Sequence, residues 1–141
     1  MKNLLLLLSI AVLFITGCEK KSSDDDLSPL IASWKKIKIE ARTSSTPWVI
    51  DNRTCYTDDI EEFDSKGGWT SYDGTNQCSA GTGIITGSWK FAVNETKIIF
   101  SYEGYTGEYE STIETLTENV LVLTQSAGDL NNTQIRTTYQ K

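Results

Sequence analysis

Gly107-Glu108-Tyr109-Glu110-Ser111-Thr112-Ile113-Glu114-Thr115-Leu116 is the stretch that decides how this chain folds. Tyr109, Ser111 and Ile113 fall on one side of an extended backbone, and Glu108, Glu110, Thr112 and Glu114 on the other. Successive side chains of a strand point to opposite faces, so the pattern predicts a strand with one face in a core and one in water. On its N-terminal side, Ile98, Phe100 and Tyr102 alternate with Lys97, Ile99 and Ser101, and Val93-Asn94-Glu95-Thr96 turns this strand back from Ile85–Phe91. On its C-terminal side, Glu118-Asn119 leads into Val120–Thr124, and residues 128–132 into Thr133–Tyr139.

The same style continues towards the N-terminus. Asp64-Ser65-Lys66-Gly67 is a hairpin turn between Ile60–Phe63 and Gly68–Tyr72. Residues 43–57 form a long connection with a short strand around Trp48–Ile50. The first strand is Trp34–Arg42, with Ile37, Ile39 and Ala41 on one face and Lys36, Lys38 and Glu40 on the other. Trp34 has the opposite parity, which calls for a bulge near Lys35–Lys36. One short helical turn is expected over Leu27–Ser33. About eight strands joined mainly by short turns predict an all-β, antiparallel, up-and-down eight-stranded barrel, since closure removes the sheet edges. An immunoglobulin-like β-sandwich is the runner-up. Ile37, Ile39, Trp89, Phe91, Ile98, Phe100, Ile113, Leu121 and Leu123 are the expected core.

Residues 1–17 have the form of an export signal. Lys2 supplies positive charge, and Leu4–Ile15 is an apolar run broken only by Ser9. Such a run is short for a membrane span but suits a signal peptide. Ile15-Thr16-Gly17-Cys18 resembles the bacterial lipoprotein lipobox, which implies cleavage before Cys18 and acylation of its thiol. The chain would then be anchored to a membrane without spanning it. Residues 18–29 comprise the acylated cysteine and a polar, acidic tether, and 30–141 the single folded domain. Ser23–Asp26 resembles the acidic signal that sends some lipoproteins to the outer face of the outer membrane; a plain tether on a periplasm-facing protein is the alternative.

Composition narrows the chemistry. The 141 residues carry 13 Lys+Arg, 19 Asp+Glu and no histidine, for a net charge of −6. Nucleic-acid binding is not expected, because phosphate neutralisation needs a positive face. Imidazole-based triads and histidine metal sites are excluded, and no cofactor or metal is expected. Asp58, Asp59, Glu61, Glu62 and Asp64 lack the spacing of a calcium loop and suggest a solvated acidic edge. With Cys18 acylated, Cys55 and Cys78 remain and are expected to form one disulfide, closing a loop worth roughly 3 kcal/mol.

The order of residues resembles the small lipocalin-like domains of bacterial surface lipoproteins. The likeness is carried by Leu30-Ile31-Ala32-Ser33-Trp34, by Cys55 followed by Asp58-Asp59, and by Phe63 with a turn ending in Gly67-Gly68. Cys78, Gly87-Ser88-Trp89, Leu121-Val122-Leu123 and the terminal Thr137-Thr138-Tyr139-Gln140-Lys141 complete it. Lipocalins often open on Gly-x-Trp, and Ala32 takes the glycine position here. The resemblance implies a barrel closed at one end, with Arg136 stacked on Trp34, and a cup that takes a small apolar molecule. The face carrying Ile98, Phe100, Tyr102, Tyr109, Ser111 and Ile113 is the expected wall: apolar groups for burial, hydroxyls to orient a polar end. A surface module gripping a protein or glycan is the second reading, with Trp48, Trp69, Tyr72 and Tyr105 around the mouth. An enzyme is not expected, since no nucleophile elbow or metal cluster is present.

Overall fold

The computed structural model describes residues 28–78, 83–129 and 131–141. Cys18 and the tether up to residue 27, on which the anchoring expectation rests, lie outside the described residues. Nine strands are found among them: β1 (Ser33–Arg42), β2 (Val49–Ile50), β3 (Ile60–Phe63), β4 (Gly68–Tyr72), β5 (Ile84–Ala92), β6 (Lys97–Tyr102), β7 (Glu108–Leu116), β8 (Val120–Ser126) and β9 (Gln134–Gln140). All pairings are antiparallel, each strand from β3 onward beside the next, and β9 returns to β1. Eight strands therefore close a barrel, and β2 is a two-residue addition to the far end of β1. Closure leaves no sandwich of two sheets, so the runner-up architecture falls away.

The two ends differ for a local reason. Tight turns at 64–67, 93–96 and 117–119 join strands at one end. Asp64 Oδ1 accepts the amides of Lys66 and Gly68, each at 2.7 Å, and so fixes the first of them. Leu30, fully buried, plugs this end beneath Trp34, whose indole N–H donates to the Leu30 carbonyl at 2.9 Å. Instead of a helix, the segment before β1 makes one turn in which Ile31 N–H donates to Ser28 O at 2.9 Å. The longer connections gather at the other end, where the expected Cys55–Cys78 disulfide ties two of them together with Cα atoms 5.0 Å apart.

The core is Leu30, Trp34, Phe63, Trp69, Ile98, Phe100, Leu121, Leu123 and Tyr139, concentrated towards the closed end. Trp89, Phe91 and Ile113 pack against it half-buried. The expectation for Ile37 is wrong: it is 44% exposed. The bulge expected near Lys35–Lys36 is present and lies just beyond that pair, between Lys36 and Lys38. An extra residue there flips the parity of the strand. Trp34 and Lys36 thus face inward before the bulge, and Ile39 and Ala41 after it.

Arg136 does not stack on Trp34. It lies on β9 opposite Glu40, its Nη2 2.8 Å from Glu40 Oε2, with its guanidinium 4.4 Å from the Trp48 ring. Trp34 is covered instead by Lys141, whose Nζ lies 4.9 Å from the ring centre. The reason is parity: Trp34 points into the barrel floor, where Leu30 and Lys141 meet it, while Arg136 shares the outer wall with Glu40.

Candidate ligand-binding site

The open half of the barrel holds a cavity of about 520 Å³. Its deep wall is apolar, with Phe63, Trp69, Phe100 and Leu123. Phe100 meets Trp69 edge-on at 5.5 Å and Phe63 at 5.9 Å, which sets the aromatic floor. Tyr102, Tyr139, Ser71, Ser111 and Gln125 bring polar groups to the middle, and Asp51, Arg53, Tyr56, Ile85 and Ile135 stand nearer the connections at the mouth.

Of the six residues expected to form the wall, Phe100, Tyr102 and Ser111 line the cavity. Ile98 is fully buried in the core and Ile113 packs against that core half-buried. Tyr109, 40% exposed, stands at the rim between the stacked ring of Tyr105 at 5.5 Å and the edge-on ring of Tyr102 at 4.8 Å. Phe100 pairs with Tyr109 and Ile98 with Ser111, so the six share one continuous face running from floor to rim.

What sequence reasoning missed is charged. Asp59 and Glu61 are buried rather than part of a solvated edge. Phe63 faces the core, and strand parity carries Glu61 and Asp59 inward with it. That signal was available in the spacing of 59, 61 and 63. Lys36, turned inward by the bulge, places its Nζ 3.1 Å from Asp59 Oδ2 and 3.7 Å from Glu61 Oε1. The other acids of the cluster are engaged in turns and on the surface. Asp58 accepts the Thr75 amide and hydroxyl, each at 2.8 Å, Asp64 holds its hairpin, and Glu62 accepts the Tyr72 hydroxyl at 3.0 Å.

Glu61 is the most perturbed of these. Burial pushes its carboxyl up to about 7, against the pull of Lys36, the Trp69 indole N–H and the Ser71 hydroxyl, with Asp59 adding to the rise. Ser71 Oγ is 3.3 Å from Glu61 Oε1. The Trp69 indole N–H is the neighbouring donor that pulls the carboxyl down, yet neither Trp69 Nε1 nor Glu61 Oε2 completes a hydrogen bond of standard geometry, and both are buried. At the mouth, Arg53 grips Asp51 through Nε at 3.0 Å from both carboxylate oxygens and lies 4.9 Å from the Tyr56 ring centre. The aromatic expectations for the mouth divide: Trp69 is core, Trp48 lies between Arg42 and Arg136 at 4.3 and 4.4 Å, and Tyr105 is exposed.

A family model described as a lipocalin-like domain matches residues 30–123. The chain belongs to that family. The match begins at the Leu30 plug and ends in β8, so the lipocalin-like barrel is closed by β9 beyond the matched segment. Comparison with curated proteins gives no match. Among solved structures, a deswapped triple mutant of bovine odorant binding protein is similar to the lipocalin-like domain with a TM-score of 0.47 and 16% identity, over 81% of this chain and 74% of that one. A lipocalin-like cup with an apolar floor fits small hydrophobic molecules.

Proposed function

We propose that this protein is an exported, lipid-anchored binder that holds a small apolar or amphipathic molecule in its cup, and that its role is binding rather than catalysis. The carrying observation is the cavity of about 520 Å³. It falls in the roughly 300–1,000 Å³ range of small-molecule sites, with apolar walls and a few convergent polar groups. A barrel filled by its own side chains would leave no such space. Titration with a neutral fluorophore that brightens in apolar surroundings tests the reading. Saturable binding that quenches tryptophan emission is expected, because Trp69 lines the cavity. Phe100→Trp should weaken it by filling the floor. No saturable binding would remove the ligand reading.

Anchoring rests on the Leu4–Cys18 segment, and surface display on Ser23–Asp26. Mass spectrometry of the mature chain from its own host should find an acylated N-terminal Cys18. Protease treatment of intact cells should remove the domain if it stands on the outer face of the outer membrane, and spare it if it faces the periplasm.

A second reading, docking of a protein or glycan, has its own observation. Val49, Ile50, Ile84, Tyr105 and Tyr109 are all exposed at the open end. They would form an apolar rim able to meet a partner. In that case Tyr105→Ala would abolish partner capture and leave fluorophore binding unchanged.

A further inference from the structure

The interior charge does not balance. Among the described lining residues, Lys36 and Arg53 are the cations. Arg53 is committed to Asp51 at the mouth. Lys36 is shared between Asp59 at 3.1 Å and Glu61 at 3.7 Å, so one ammonium stands against two carboxylates. Glu61 Oε1 has Lys36 and the Ser71 hydroxyl, whereas Oε2 is buried with no hydrogen-bond partner. Glu61 itself is 8% exposed and lines the cavity. An unpaired buried carboxylate oxygen is costly, and a cation or a strong hydrogen-bond donor relieves that cost best. The space beside it is continuous with the walls of Phe63, Trp69 and Phe100.

We propose that the cup selects amphipathic molecules ending in an amine, with the ammonium on Glu61 Oε2 and the hydrocarbon against Phe63, Trp69 and Phe100. This deepens the binding reading above and rests on it. The charge pattern disfavours the opposite class. A fatty-acid carboxylate placed in the same space would meet Glu61, with Asp59 behind it on the shared Lys36 and no uncommitted cation among the described lining residues.

The pH dependence follows from the groups around Glu61. Lys36 faces it from β1, Asp59 from the residue before β3, and Tyr102 and Tyr139 from β6 and β9. Burial, first of all, pushes both tyrosines above their ordinary range, so they stay neutral near pH 7. Glu61, held at about 7, gains its charge as pH rises, while an alkylamine stays protonated. Amine affinity should therefore rise by about tenfold between roughly pH 6 and 8, and alcohol affinity should not.

The test uses the intact protein loaded with N-phenyl-naphthylamine, uncharged at these pH values, and displaced by octylamine, octanol or octanoate. Octylamine should displace at a concentration about tenfold below octanol, with octanoate weaker than both. Glu61→Gln should erase the amine advantage and leave octanol unchanged. Octanoate matching octylamine, or an amine advantage that survives Glu61→Gln, would overturn the proposal while leaving the binding reading intact. An equal ranking of amine and alcohol would mean that water meets the carboxyl, and would overturn it too. If Glu61→Gln does not fold, the pH series on the unaltered protein decides: a flat amine affinity rejects the proposal. A fluorophore that never binds would sink the binding reading itself, and this proposal with it.

Discussion

Lys36 and Glu61 meet inside the barrel, Nζ to Oε1 at 3.7 Å, although Lys36 comes from the first strand of the barrel and Glu61 from the next strand to join it. The pair exists because a bulge turns one side chain inward and strand parity turns in the other. Asp59 joins it at 3.1 Å from the same Nζ. Two buried acids on one cation make the interior sensitive to pH.

Glu61 sets the sign of that sensitivity. Its carboxyl is held at about 7 in the folded protein, above the ordinary carboxylate value it regains on unfolding. Between those values the folded state binds more protons, so stability falls as pH rises. The contribution is fully present below the unfolded value and is lost as pH passes through about 7. The shift corresponds to about 3 kcal/mol. Urea unfolding at pH 5, 6.5 and 8 should show the difference between the native protein and Glu61→Gln moving by that order in favour of the glutamine at high pH. A constant difference would show that Glu61 stays ionised throughout.

Lys36→Met should be costly for the opposite reason. It leaves Asp59 and Glu61 buried together without their cation. Breaking a buried pair in this way costs about 3–5 kcal/mol. The loss should be largest at pH 8 and smaller at pH 5, where Glu61 carries its proton. Chemical unfolding at both pH values checks it; a pH-independent loss would point to packing alone.

Phe100→Ala and Ile37→Ala test the inward and outward parities together. Phe100 is 7% exposed between Phe63 and Trp69, so its truncation should cost about 3–5 kcal/mol. Ile37 is 44% exposed at the bulge, and its truncation should cost about 1 kcal/mol or less. A reversed order in thermal unfolding would mean that the bulge is misplaced.

Val93 offers a stabilising change. It opens the 93–96 turn with φ 50°, beside Asn94 at 53° and Glu95 at 64°, and is 62% exposed. A β-branched side chain is strained in this left-handed region, where asparagine is well tolerated. Val93→Asn should raise stability by about 1 kcal/mol, seen as a higher urea midpoint with unchanged slope. A lower midpoint would show that the valine packs usefully despite its exposure.

Much of the fold could be read from spacing. Tyr109, Ser111 and Ile113 marked β7, Ile98, Phe100 and Tyr102 marked β6, and the intervening turns implied a meander that β9 closes on β1. Local alternation suffices there because one face is dry along each strand. The Cys55–Cys78 bond followed from the count of thiols. Half of the expected wall, Phe100, Tyr102 and Ser111, lies on the cavity, while the same face runs into the core at Ile98 and Ile113 and out to the exposed rim at Tyr109.

The strands, their order and the apolar face that closes into a barrel are legible in the chain alone, because each depends on neighbours two or a few residues apart. That Lys36 points inward, that Asp59 and Glu61 are buried with it, and that Arg136 covers Trp48 while Lys141 covers Trp34 emerges when the barrel closes. A bulge shifts parity by one residue, and its position depends on how β1 and β9 pair across the closure. The charge inside the cup is thus a property of the closed barrel: one residue's displacement in a strand reverses which side chains meet water and which meet one another.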